Sequence, residues 1–198
     1  KMRTPQQVKV EYLPPTIQKE QTLHVDLMFV NGDPYIVAVS TPLGMTLAHH
    51  LKGRRTAAAI EEGILAFVNT MKPRGFEVKT LLCDGEGGVA AIAGKLNQMG
   101  IAFNPAGPVQ HVPVVENKIR QIKERVRAHI SVLPFTLPPI LMKWLVAYCI
   151  TRLNMSPSGT RMDSTCPREL YLGRKINAKV DLTVSFGDYV QVEMPGLA

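Results

Sequence analysis

The sequence has no apolar run long enough to cross a bilayer. Its longest, Ile140 to Ile150, is interrupted by Lys143 and falls well short of the about 20 residues that a span requires. A membrane-spanning helix is therefore excluded as the organising element, and no secretory leader is read at the start. Cysteine is sparse too. Cys83, Cys149 and Cys166 form an odd, widely spaced set without metal-ligand spacing, which reads as free thiols in a reducing compartment. Internal repeats and low-complexity segments are missing. So are the GxGxxG and GxxxxGK[ST] spacings of nucleotide loops, and Gly85-Glu86-Gly87-Gly88 reads instead as a tight strand-to-helix turn.

What remains describes a globular chain. Its 198 residues, hydrophobic fraction of 45% and charged fraction of 20% suit one full domain with a smaller appendage. The chain is expected to be a piece of something longer. A formal net charge of +7 favours a polyanionic partner, nucleic acid before an anionic membrane surface.

Taken in order, residues 1 to 20 contain Pro5, Pro14 and Pro15 and read as an extended lead-in or linker. The runs TLHVDLMFV and PYIVAVS, joined by Asn31-Gly32-Asp33, predict a hairpin, with Asp33 structural in its turn. Met45 to Leu51 supplies a third strand. Its adjacent His49 and His50 would face opposite ways and read as surface groups rather than a metal pair. Thr56 caps a helix with the stripe Ile60, Ile64, Phe67, Val68 and Met71, stopped by Pro73-Arg74-Gly75. Val78 to Cys83 is a fourth strand. A helix carrying Val89, Ile92, Ala93, Leu96 and Met99 inward closes at Gly100, and Ile101 to Phe103 is a fifth strand. Three strands followed by alternating helices and strands suit an α/β fold, a mixed five-stranded sheet with helices on its faces.

The stretch Gln110 to Arg127, QHVPVVENKIRQIKERVR, organises the remainder. Val115, Ile119, Ile122, Val126 and Ile130 make one apolar stripe. Glu116, Arg120, Lys123 and Arg127 line a different face of the same helix. Taken alone, that row also suits a solvated surface with Glu116 and Arg120 as an i,i+4 pair.

Two further acids bear on the choice. Asp26 is flanked by Val25, Leu27, Met28 and Phe29, and a carboxylate in such a strand either faces a wet sheet edge or ligates a cation. Asp84 ends an apolar strand just before a helix, where α/β folds present functional groups. If the first and fourth strands are neighbours, Asp26 and Asp84 come together and the basic helix can bring Glu116 to the same edge. Three such carboxylates can hold two Mg²⁺ or Mn²⁺ ions, hard cations that prefer oxygen ligands and serve in-line displacement at phosphodiesters.

The segments HVD at 24 to 26, CDGE at 83 to 86 and VVENKIRQIKER at 114 to 125 together resemble the DDE catalytic core of retroelement integrases, most closely those of copia-type long-terminal-repeat retrotransposon polyproteins. QHVPVVENKIR is similar to that family's PQQNGVAERKNR signature, and CPRELYLGRK to its TPYELWTGRKP segment. The likeness spans about residues 22 to 192, and the order and spacing of the motifs are more specific than any single match. The resemblance implies an RNase H-like fold, the catalytic and metal-binding triad Asp26, Asp84 and Glu116, and 3′-end processing and strand transfer of element DNA. It also implies that Arg120 and Lys123, with Arg127 continuing the row, approach the DNA backbone, giving salt-dependent binding with little sequence information. Glu86 and His111 are auxiliary candidates, His111 as a loop residue contacting backbone or DNA rather than a general base.

The organisation expected is a lead-in at 1–20, an integrase catalytic core at 21–132, a helical extension and loop at 133–170 and the start of a small β segment at 171–198. Ile140 to Asn154, with Trp144 and Tyr148, reads as a core-packing helix, a multimer contact being the alternative. Partners implied are double-stranded DNA, both element ends and target, and further copies of the chain, without a membrane. The location implied is intracellular, in the nucleus or a cytoplasmic element particle. Two other readings keep the fold. With water as the only nucleophile the chain is an RNase H-like nuclease; decayed or domesticated, it binds DNA without cutting it.

Overall fold

The computed structural model describes residues 17–53, 55–84, 91–106, 113–157 and 165–190, the side chains of Asp84, Pro105 and Ala106 excepted. Strand β1 (Glu20–Val30) turns into β2 (Asp33–Thr41) across Asn31 and Gly32, whose φ angles are 50° and 84°. That backbone twist is the one a two-residue hairpin loop needs, and Asn and Gly adopt it at least cost. After β3 (Thr46–His50) comes helix α1 (Ala57–Met71), whose first turn is capped by Thr56 Oγ1 accepting the Ala59 N–H at 3.3 Å. Its 3₁₀ end through Lys72–Arg74 stops at Gly75, at φ 71°. The order continues with β4 (Glu77–Asp84), α2 (Ala93–Gln98), β5 (Ala102–Ala106), α3 (Pro113–Val132), α4 (Met142–Asn154), α5 (Pro167–Leu172) and α6 (Ala178–Asp181).

The strands form one five-stranded sheet in the order β3-β2-β1-β4-β5. β1, β2 and β3 pair antiparallel, while β1–β4 and β4–β5 pair parallel. Helices cover both faces, so residues 34–40 of β2 are buried without alternation. One face packs Leu23, Val25, Ile36, Ala38 and Leu81 against α1, α2 and Leu170 of α5. The other packs Met28, Val30, Val37 and Val39 against Val115, Ile119, Ile122 and Val126 of α3 and Leu145, Val146, Cys149, Ile150 and Leu153 of α4. Because strand side chains alternate with a period of two, Asp26 shares the α3 side with Met28.

Two contacts set how closely the helices approach. At Gly63 of α1 an added Cβ would lie 2.5 Å from Ile36 Cγ2, so the helix rests on β2 where only glycine fits. At the end of α4 the buried Asn154 amide clasps Thr46: its Oδ1 accepts the Thr46 N–H at 2.8 Å and its Nδ2 donates to the Thr46 carbonyl at 2.7 Å. The start of the edge strand β3 is thereby satisfied by a side chain.

Some details differ from the sequence reading. Ile130 is 38% exposed, because steps of four overshoot each turn by about 40° and carry the stripe off the buried face. Met99 is 46% exposed: the helix ends at Gln98, so Met99 caps it instead of continuing its stripe. Helix α4 supplies part of one core and α5 part of the other. Over residues 171–190 the described chain is helix and turn without a strand. There Asp188 Oδ2 accepts the Ser185 N–H at 2.7 Å and Gly187 has φ 96°; the rest of the expected β segment lies outside the described residues.

Candidate active site

The parallel β1–β4 ladder aligns Val25 with Cys83. The next residues, Asp26 and Asp84, therefore stand level on neighbouring strands, whose spacing is about 4.8 Å. The apolar runs before them place the ladder in the core, and Asp84 falls where β4 ends. The half-buried Asp26 is held locally: its Oδ1 accepts the Leu27 N–H at 2.7 Å.

Helix α3 crosses the same face. Pro113 opens it, a first-turn position where a missing N–H costs nothing and the fixed φ is already helical. Val115, Ile119, Ile122 and Val126 are buried against the sheet, so the row Glu116, Arg120, Lys123 and Arg127 runs along one flank. Glu116 occupies the first turn, where the helix dipole favours a carboxylate. Asp26, Leu27, Glu116, Ile119, Arg120, Lys123 and Arg127 line one cleft of about 400 Å³. Arg120 is oriented by its own helix: Nη2 donates to Asn117 Oδ1 at 2.9 Å and Nη1 lies 3.7 Å from the Glu124 carboxylate.

Of the residues singled out in the sequence, the cleft thus brings together Asp26, Glu116, Arg120, Lys123 and Arg127. Asp84 is level with Asp26 by its backbone. Its side chain, like all of Glu86 and His111, lies outside the described residues. Among the described side chains no group of three His, Cys, Asp or Glu residues gathers. The adjacent histidines diverge to separate carboxylates, His49 to Glu62 and His50 to Asp33, each at 3.8 Å. Cys83, Cys149 and Cys166 are all buried, and burial pushes the Cys149 thiol up to about 11, so it stays protonated.

Sequence reasoning did not find the apolar wall that Ile119 gives this cleft, because it looked like an ordinary core position. It also passed over Lys118 and Arg125, which share the opposite flank of α3. Their spacing of seven was the available signal.

No protein-family model matches the sequence, and no curated protein matches it. In three dimensions the chain is similar to the catalytic core domain of BIV integrase, with a TM-score of 0.60 and 21% identity over 77% of this chain and 93% of that one. The chain has the integrase-core, RNase H-like fold. In this fold the cleft between β1 and α3 lies at the centre of the sheet rather than on a peripheral loop. Among the described residues no helix of the integrase-like core is long and apolar enough to cross a membrane.

Proposed function

We propose that the chain is the catalytic core of a retroelement integrase, most like those of copia-type retrotransposon polyproteins, that processes the 3′ ends of element DNA and joins them to a target. The observation that carries this reading is the single cleft in which Asp26 and Glu116 face the cations Arg120, Lys123 and Arg127. An enzyme acting on a phosphodiester needs acids and cations side by side, the acids for the reacting centre and the cations for the backbone around it.

The donor set fits a divalent metal: all its candidate ligands are carboxylate oxygens, the chemistry that Mg²⁺ and Mn²⁺ prefer. Asp26, Asp84 and Glu116 would hold two such ions, which would supply polarisation of the phosphodiester and activation of a water or 3′-hydroxyl. The chain's own contribution is position and charge. The Leu27 N–H fixes one oxygen of Asp26, and the buried stripe of α3 fixes the root of Glu116. Arg120, Lys123 and Arg127 neutralise successive backbone phosphates and align the strand, with affinity that falls as salt rises.

The reading extends to a multimer. Trp144 and Ile140 are 60% and 72% exposed beside an otherwise buried helix face, which suits contact with a second copy. The working location is the nucleus or an element particle.

Incubating the chain with Mn²⁺ and a labelled duplex bearing the element's end tests the proposal. Joined products are expected. Cleavage without joining would make the chain a nuclease, and salt-sensitive binding alone would make it a decayed or domesticated DNA-binding domain.

A further inference from the structure

A second cleft, of about 680 Å³, lies on the other side of α3 and is walled by the β2–β3 connection and the end of α4. Thr41, Asn117, Lys118, Gln121, Arg125 and Ser156 give it its polar lining, and no carboxylate is among its described lining residues. Lys118 and Arg125 are seven residues apart on α3, two turns or about 10 Å along the axis, and both side chains enter this one space. Each is half-buried.

Their hydrogen bonds leave most of their capacity unused. Lys118 Nζ donates to Gln121 Oε1 at 3.5 Å, and Arg125 Nη2 to Ser156 Oγ at 3.4 Å. Both acceptors are neutral and both bonds long, whereas the two groups carry eight N–H donors between them on the usual count of about three and five. Among the described residues neither has a carboxylate partner. Burial and the neighbouring guanidinium of Arg125 push the Lys118 ammonium below its ordinary value, so the two cations sustain a repulsion that a bound anion would remove.

We propose that this cleft is a phosphate-binding site in which Lys118 and Arg125 hold the anion and Thr41 and Asn117 offer neutral hydrogen-bonding groups around it. Its volume accommodates a phosphodiester with its flanking sugars as well as free phosphate. That the phosphate belongs to a nucleic-acid backbone rests on the function proposed above; the phosphate site itself does not. With Arg120, Lys123 and Arg127 on the opposite flank, α3 then carries a phosphate-binding row along each side.

The test is an NMR titration of the whole chain with inorganic phosphate and, separately, with a short duplex, following the Lys118 Nζ and Arg125 Nε resonances. Both ligands are expected to shift them. In the K118Q/R125Q variant, phosphate should no longer shift the Thr41 and Asn117 amides. Duplex affinity should fall about tenfold, with the slope of log K against log salt shallower by about 1 for each phosphate that is no longer neutralised. Shifts with phosphate and none with duplex would uphold the site, assign it to a free phosphate compound, and count against the backbone source. Shifts with neither ligand would overturn the proposal.

Discussion

Val25 stands opposite Cys83 on the parallel pair of β1 and β4, and each is followed at once by an aspartate. This one register ties two acids 58 positions apart in the chain (84 − 26) to a common level at the centre of the sheet. Buried apolar residues on both strands fix it, since a slip of one position would turn every side chain to the wrong face.

The first prediction concerns Asp84. The variant Asp84→Asn keeps the shape of the side chain and removes its charge, so metal-dependent cleavage of a labelled duplex should disappear while the thermal unfolding midpoint stays within a few degrees. Undiminished cleavage in a correctly folded variant would remove Asp84 from the site.

Neutralising the cation row should act differently. Arg120→Gln with Lys123→Gln is expected to weaken duplex binding to a similar degree across unrelated sequences. The salt slope should flatten by about 1 for each cation removed from the DNA backbone. A weakening confined to one sequence would mean that these residues read bases.

A third prediction separates packing from propensity. On helix propensity alone, Gly63→Ala should stabilise α1 by about 1 kcal/mol. With Ile36 Cγ2 only 2.5 Å from the new Cβ, overpacking decides the sign, and urea unfolding should show a destabilisation of about 1–3 kcal/mol. A stabilised variant would mean that β2 and α1 separate at little cost.

The fourth prediction is a pH dependence. Burial lowers the pKa of His24 from its ordinary 6.5, and its buried Nδ1 has no hydrogen-bond partner among the described residues. The unfolded chain therefore takes up the proton first. Neutral His24 contributes its full share of stability above pH 6.5, and that share is lost as pH falls through 6.5 toward the lower folded-state pKa. Denaturant unfolding between pH 8 and 5 should be flatter for His24→Gln than for the parent chain; identical slopes would show that His24 does not titrate on unfolding.

Much of this was legible in the sequence because the relevant signals are local. Asn31-Gly32 marks the hairpin, Thr56 the start of α1, and the stripe from Val115 to Val126 the buried face of α3. The neighbouring of β1 and β4 was only a condition at the level of element order; the sheet meets it, with Val25 opposite Cys83. What escaped depends on residues distant in sequence. Nothing near Gly63 announces that Ile36 lies under it, and nothing near Asn154 announces that it completes the edge of β3. Lys118 and Arg125 read as two more charges on a basic helix until the β2–β3 connection closed a cleft over them.

The central claim is that Asp26, Asp84 and Glu116 together hold a divalent metal, and paramagnetic NMR with Mn²⁺ addresses it without requiring turnover. At low Mn²⁺ the amide signals of Asp26, Leu27, Asp84 and Glu116 should broaden together ahead of all others, and Asp84→Asn should restore them. Broadening centred away from these residues, or unaltered by Asp84→Asn, would contradict a metal held by this triad.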